Sequence, residues 1–427
     1  MGPTKESKII IVGGGAFGLS TAYHMLISGY KDVTIVDRTT PPVPDGSSSD
    51  ISRIVRADYD DLIYASMARE ALVEWRSNAA LAEAFHECGM LIMTPNEDGE
   101  NDYLEQAYNN VKKLNGRAAR LPTGADARKT LGLPYADALN SHSGYISYEA
   151  GWADANEAVA ALFRECIGRG AKFVPGTMIS IVHSDKKEKV SGIKLEGDEI
   201  LSADFVVLAT GAWTDSLFDT QSRALATGQP VAFIPVDTDE EFAEYSQLPI
   251  YINFKTGFYI FPPHPRDRVI KAARHSFGYT NFEPTALDPT RLSSQPQPVN
   301  FSAGELPKHL TTLPDDATDC IRHGLTTFLG PQFAKKAFQK TRICWYTDTP
   351  TKDFLFDYPP GYENLFIATG GSGHGFKFLP VVGKYALGCI EKSLAQELLD
   401  KFAWREKVIL VKDGSRGGTP QIPLPNA

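Results

Sequence analysis

KIIIVGGGAFG, residues 8–18, decides the fold. Ile9 to Val12 are all β-branched, as in a parallel strand buried on both faces, and glycines end the strand at once. From Ala16 to about Ser28 apolar residues recur at helical spacing, and KDVTIVD (31–37) is a second apolar strand ending in an acid. This strand–helix–strand unit sets Gly13, Gly15 and Gly18 in the three positions of a GxGxxG turn, with Asp37 lying 24 residues after Gly13. Gly13 permits the tight turn, Gly15 lets backbone approach a pyrophosphate, and Gly18 allows helix and strand to pack closely. Ala16 and Phe17 open a helix whose positive end attracts phosphate. Asp37 is placed to accept hydrogen bonds from a ribose, with Arg38 beside it. FAD and NAD share this fingerprint, so the choice between them comes from elsewhere.

Strands of the same texture return at AKFVPG (171–176), DFVVLATG (204–211) and NLFIATGG (364–371), so pieces from the start, middle and end of the chain build one sheet. Between them, YINFKTGFYIFPP (251–263) and RVIKAARHSFGYTN (268–281) alternate aromatic and polar residues with turn punctuation, as antiparallel strands do. The expectation is an α/β (α+β) protein with a discontinuous Rossmann-like FAD-binding domain (1–85, 148–218 and 335–405). A β-rich substrate domain (86–147 and 219–334) is interleaved with it, and 406–427 form a tail. Residues 283–318 read as a long connection, and the GSRGGTPQIPLPNA tail reads as disordered. ATGAWTD (209–215), late in the chain after a strand, suits a second nucleotide contact of the kind FAD enzymes carry.

Composition narrows the function. With 427 residues, 42% hydrophobic and 22% charged, the chain has material for two or three compact units. A formal net charge of −9, from 52 acidic and 43 basic residues dispersed along the chain, gives no footprint for nucleic acid or an anionic membrane. No stretch reaches the roughly 18–20 apolar residues of a membrane span. Five scattered cysteines without a CxxC pair suggest neither a disulfide framework nor zinc, so no metal is expected. Without a signal peptide or an SKL-type ending, the expected setting is cytoplasmic, and the expected partners are a small molecule and oxygen.

Four blocks carry a resemblance over nearly the whole chain. They are the Gly13 fingerprint, SSSDISRIVRADY (47–59), VIKAARHSFG (269–278), and RICWYTDTPTKDFLFD with GGSGHGFKFLPVVG (342–357 and 370–383). Together they resemble the amine-oxidising branch of the D-amino-acid-oxidase superfamily, the group of monomeric sarcosine, pipecolate, saccharopine and fructosyl amino acid oxidases. The resemblance implies FAD held covalently through Cys344, and oxidation of a secondary-amine amino acid by a monomer to give an imine and hydrogen peroxide.

It also implies roles for individual residues. Arg56 and Lys377 would bind the substrate carboxylate, Arg53, Ser48 and Ser49 would lie near the flavin, and Lys271 would activate oxygen. His275 and Tyr259 would wall the amine pocket. Gly373, His374, Gly375 and Phe376 would present amides to the flavin ahead of a helix starting near Phe376. If the segment around them is helical or tightly turned, Arg53 and Arg56 share one face. His275 stands where fructosyl amino acid oxidases place an acid, which makes a fructosyl substrate the second choice. An NAD dehydrogenase and a non-enzymatic flavoprotein remain as readings of other classes.

Overall fold

The computed structural model describes residues 2–96, 102–132, 137–185, 188–285, 288–297, 313–407, 415–416 and 421–424. Its nucleotide-side sheet has six strands in the order Leu355–Asp357, Leu365–Thr369, Phe205–Leu208, Lys8–Val12, Asp32–Asp37 and Lys172–Pro175. All pair in parallel except the Leu355–Asp357 edge. The uninterrupted apolar runs are explained by burial on both faces. Ile9, Ile11, Val33, Ile35, Phe205 and Val207 enter one core, while Ile10, Val12, Val36, Val206 and Leu208 enter another. The Ala16–Ile27 helix packs on the first of these faces through Leu19, Ala22 and Met25, each fully buried.

The second sheet has ten strands and is mainly antiparallel. Leu225–Pro235 pairs with Val269–Arg274, which pairs with Phe258–Ile260, which pairs with Ile250–Asn253. Met90–Pro95, His142–Ser147 and Ala118–Leu121 continue it. The Lys340–Asp348 strand was grouped with the nucleotide-binding pieces in the sequence. It pairs instead with Leu225–Pro235, from Leu225↔Asp348 to Phe233↔Lys340. Cys344, opposite Gln229, therefore hangs from the substrate-side sheet and faces the dinucleotide side.

Two other expectations need correction. The connection expected over 283–318 contains a hairpin, Phe282–Pro284 with Leu292–Ser294, and the start of the Asp315–Leu329 helix. The hairpin is tied to the nucleotide side by Arg291 and Ser293, both bonded to Asp215. The tail, expected to be disordered, also contains an element: Ile422–Pro423 adds to Tyr279–Thr280 as an edge strand. Among the described residues no helix is long and apolar enough to cross a membrane.

Candidate active site

A cavity of about 1510 Å³ runs from the Gly13 turn to the face of the antiparallel sheet. That exceeds the roughly 300–1,000 Å³ of an ordinary small-molecule site and leaves room for a dinucleotide and a substrate together. At the dinucleotide end the turn lies hard against its neighbours. Gly13 has φ +106°, and a Cβ there would stand 2.3 Å from the Ala209 carbonyl oxygen, while one on Gly18 would stand 1.8 Å from that of Gly13. Gly18 is accordingly a packing residue, and Gly13, Gly15, Ala16 and Phe17 line the cavity. The Ala16 amide donates to Ser48 Oγ at 2.9 Å, and no acid in the helix's first turn opposes an anion.

Asp37 accepts from the Gly14 and Arg38 amides at 2.6 and 2.7 Å, and burial holds its carboxyl above the usual range. Arg38 forks onto Asp45 at 2.8 and 2.6 Å and stacks over Trp213 at 4.4 Å. Thr210 to Trp213 join the wall, as the ATGAWTD motif suggested. Ser49 does not: its hydroxyl donates to Asn156 Oδ1 at 2.9 Å, and it lies off the cavity wall.

Asp50 organises the middle of the site. It is buried and bonded to Arg53, and Lys271 Nζ donates to its Oδ2 at 2.7 Å and to the Ser52 carbonyl at 2.6 Å. Lys271 is only 1% exposed; burial lowers its pKa to about 7 although Asp50 pulls it upward. Arg53 also donates to the Ser47 carbonyl at 2.7 Å and to Cys344 Sγ at 3.3 Å. Cys344 is 3% exposed, yet it lines the cavity. Cys166 and Cys389 lie off the cavity wall, and burial pushes their thiols up to about 12.

At the far end Lys377 Nζ donates to Tyr59 Oη and the His374 carbonyl, both at 2.9 Å. Burial, then the Arg56 charge, holds Lys377 well below the usual lysine range. Arg56 lies over the Tyr59 ring at 5.1 Å and donates from Nη2 to Tyr103 Oη at 3.3 Å. Its Nη1 is buried without a hydrogen-bond partner among the described residues. Tyr259, opposite Ala273, and His275, whose Nδ1 lies 3.3 Å from Tyr346 Oη, complete the wall with Gly373, His374, Gly375 and Phe376. Burial, then Arg416, holds the His275 imidazole well below the usual range, so it is neutral near pH 7.

The condition for one local reading is not met, and a second reading fails. Arg53–Val55 is a strand, so side chains three apart diverge, and Arg53 turns to Cys344 while Arg56 turns to Tyr103. Phe376–Phe378 is a single 3-10 turn, and the following α-helix is Val382–Ile390. Pro380, which has no N–H to donate, lies between them. The Gly370–Gly375 loop thus reaches the site without a helix dipole behind it. Sequence reading also passed over Asp50 as a centre of the site and Arg416 altogether, because neither stands in a local pattern.

The family described as DAO, FAD dependent oxidoreductase, matches residues 8–387. The chain is 33% identical to L-saccharopine oxidase of Schizosaccharomyces pombe, over 93% of each chain. It is 32% identical to amino acid oxidase fsqB of Aspergillus fumigatus, over 90% of this chain and 92% of that one. Among solved structures, fructosyl peptide oxidase from E. terrenum superposes with a TM-score of 0.87 at 25% identity, covering 98% of this chain and 97% of that one.

Proposed function

The chain belongs to the DAO family of FAD-dependent oxidoreductases and is an FAD-dependent oxidase of amine donors that uses oxygen; on that premise we propose that its substrate is a secondary-amine amino acid, N-substituted or cyclic, and that FAD is joined to Cys344 through sulfur. Gly13, Gly15, Ala16, Phe17, Asp37, Arg38 and Ser48 would hold the dinucleotide, with the Gly373–Phe376 loop and Arg53 about the flavin. The cradle fits that role because Gly13 tolerates no Cβ and the first helical turn carries no opposing acid. When bound, FAD supplies a two-electron acceptor, so that the amine becomes an imine and oxygen becomes hydrogen peroxide.

The observation that carries the substrate reading is the open fork of Arg56. A part-buried guanidinium whose buried Nη1 is unspent, beside a buried lysine, is a seat for a carboxylate. In this reading Arg56 and Lys377 fix the carboxylate and thereby orient the carbon next to nitrogen. The same cations, with Lys271, surround the amine with positive charge, while His275 stays neutral. That favours loss of the proton from an amine whose pKa is about 10 in water, freeing the lone pair that drives oxidation. Lys271 holds a charge where oxygen gains electrons. The similarity to L-saccharopine oxidase supports an N-substituted amino acid, while the shape match to fructosyl peptide oxidase keeps a fructosyl amino acid as second reading.

Peroxide release from a panel of saccharopine, pipecolate, sarcosine, N-methyl aromatic amino acids and fructosyl amino acids tests the substrate class. The highest kcat/KM is expected for a carboxylated secondary amine without a sugar, and preference for the fructosyl compounds would overturn this. Acid-precipitated protein should keep its flavin, and Cys344→Ser should release it. Flavin released from the unaltered protein refutes the thioether.

A further inference from the structure

The C-terminal segment enters the site from outside the region that matches the family. Arg416 is 7% exposed. It forks onto Asp348, with Nη1 2.7 Å from Oδ2 and Nη2 bonded to Oδ1. Nη2 also donates to the Ser372 carbonyl at 2.8 Å, and Nη1 lies 3.5 Å from that of Ser276. The guanidinium stands 5.5 Å over the Tyr346 ring. Farther along the chain, the Leu424 amide donates to the Thr280 carbonyl at 2.8 Å.

The three anchors of Arg416 lead straight to one wall of the amine pocket. Ser276 follows His275, Asp348 lies two residues after Tyr346 on the same strand, and Ser372 precedes Gly373. Tyr346 and His275 touch each other, and Gly373 packs where a Cβ would stand 2.5 Å from Tyr346 Cε2 and 2.8 Å from His275 Cε1. Ser372 has φ +45°, a conformation that L side chains rarely adopt, so the loop needs outside ties to keep its shape. Those ties are its amide to the Thr347 carbonyl at 2.9 Å, the Thr349 amide to its hydroxyl at 3.1 Å, and Arg416 to its carbonyl.

We propose that Arg416 is part of the active site, a positioning residue that fixes the Tyr346–His275–Gly373 wall and so sets which amines fit opposite Arg56 and Lys377. The assignment of the wall to amine selection rests on the oxidase reading above; the latch itself rests on geometry alone. The charged groups facing His275 are Arg416, Asp348, Arg56 and Lys377, with the Tyr346 hydroxyl in contact. Positive charge outnumbers negative there, which together with burial keeps the imidazole neutral and able to accept a hydrogen bond from an amine N–H.

Three variants of the full-length holoenzyme test this: Arg416→Lys, Arg416→Gln, and Arg416→Gln with Asp348→Asn, the last sparing the protein a buried unpaired carboxylate. In each, KM for the best amine should rise about tenfold with kcat little changed, and the order of preference across the amine panel should flatten. Arg416→Gln should move the pH dependence of KM toward higher pH as His275 gains basicity, and Arg416→Lys, which keeps the charge, should not. Hydrogen exchange of the Ser372 and Thr349 amides, read on the free protein, should quicken about tenfold in all three. Variants that lose thermal stability but keep the parent KM, preference order and exchange would make Arg416 a tie in the fold only, and overturn the proposal. If the parent protein oxidises no amine, the oxidase reading fails while exchange still reports on the latch. If the parent is active and the variants match it, the latch alone fails.

Discussion

Lys271 and Lys377 are both buried in one cavity, and burial lowers both pKa values, yet their surroundings differ. Lys271 has its counter-charge built in, the Asp50 carboxylate 2.7 Å away. Among the described residues Lys377 bonds only a phenol and a carbonyl, and beside it Arg56 adds a second cation. Asp58, the acid whose charge acts on both, is pushed by its own burial above the usual carboxylate range. A buried charge needs compensation. Where the protein supplies it, the cation is a fixed component of the site. Where the protein withholds it, the compensation has to come with an anionic ligand. In the proposed reading the two ends of the cavity therefore divide the work: Lys271 would serve oxygen and Lys377 the substrate carboxylate.

The sharpest attempt to break this division is Lys271→Met. Removing one preorganised charge should slow reoxidation of the reduced enzyme by about two to three orders of magnitude while leaving reduction by the amine within a few-fold. Rapid mixing of each half-reaction separates them, and equal losses in both would put Lys271 on the amine instead. Next in size, Arg56→Ala or Lys377→Ala should lower kcat/KM for a carboxylated amine by one to two orders of magnitude, from charge-assisted bonds contributing roughly 1.5–3 kcal/mol each. The decarboxylated analogue should lose little further in either variant, and a parallel loss with both substrates would remove the clamp.

The smallest effect concerns pH. Because Lys271 is charged only below about 7, the oxygen-consuming half-reaction should decline as pH rises through that value. Asp50 raises the lysine's pKa, so Asp50→Asn should shift the decline to lower pH, and a shift to higher pH would contradict the pairing.

The dinucleotide cradle was legible because it is made by neighbours in sequence. Gly13, Gly15 and Gly18 act through backbone shape within one strand, turn and helix, and their spacing is itself the signal. One cavity joins Arg56, Tyr259, Lys271, His275, Cys344 and Lys377, which the motif blocks could name but not arrange. Where local pattern was asked for geometry, it erred. The shared face of the two arginines depended on a helix or tight turn that the extended segment does not form, and a helix was started at Phe376 although Pro380 follows too soon.

By itself the sequence determined the βαβ nucleotide unit, the alternation of the second sheet and the residue types the site employs, because periodicity and turn chemistry act over a few residues. Tertiary structure alone decided which charges meet. Asp50 and Lys271 are 221 residues apart, and Asp348 and Arg416 are 68 apart. An ion pair leaves no local period, and a Gly- and Pro-rich tail shows nothing of the arginine it carries into the site. Only the packing of the two sheets around one cavity removes those charges from water and thereby fixes what each must pair with.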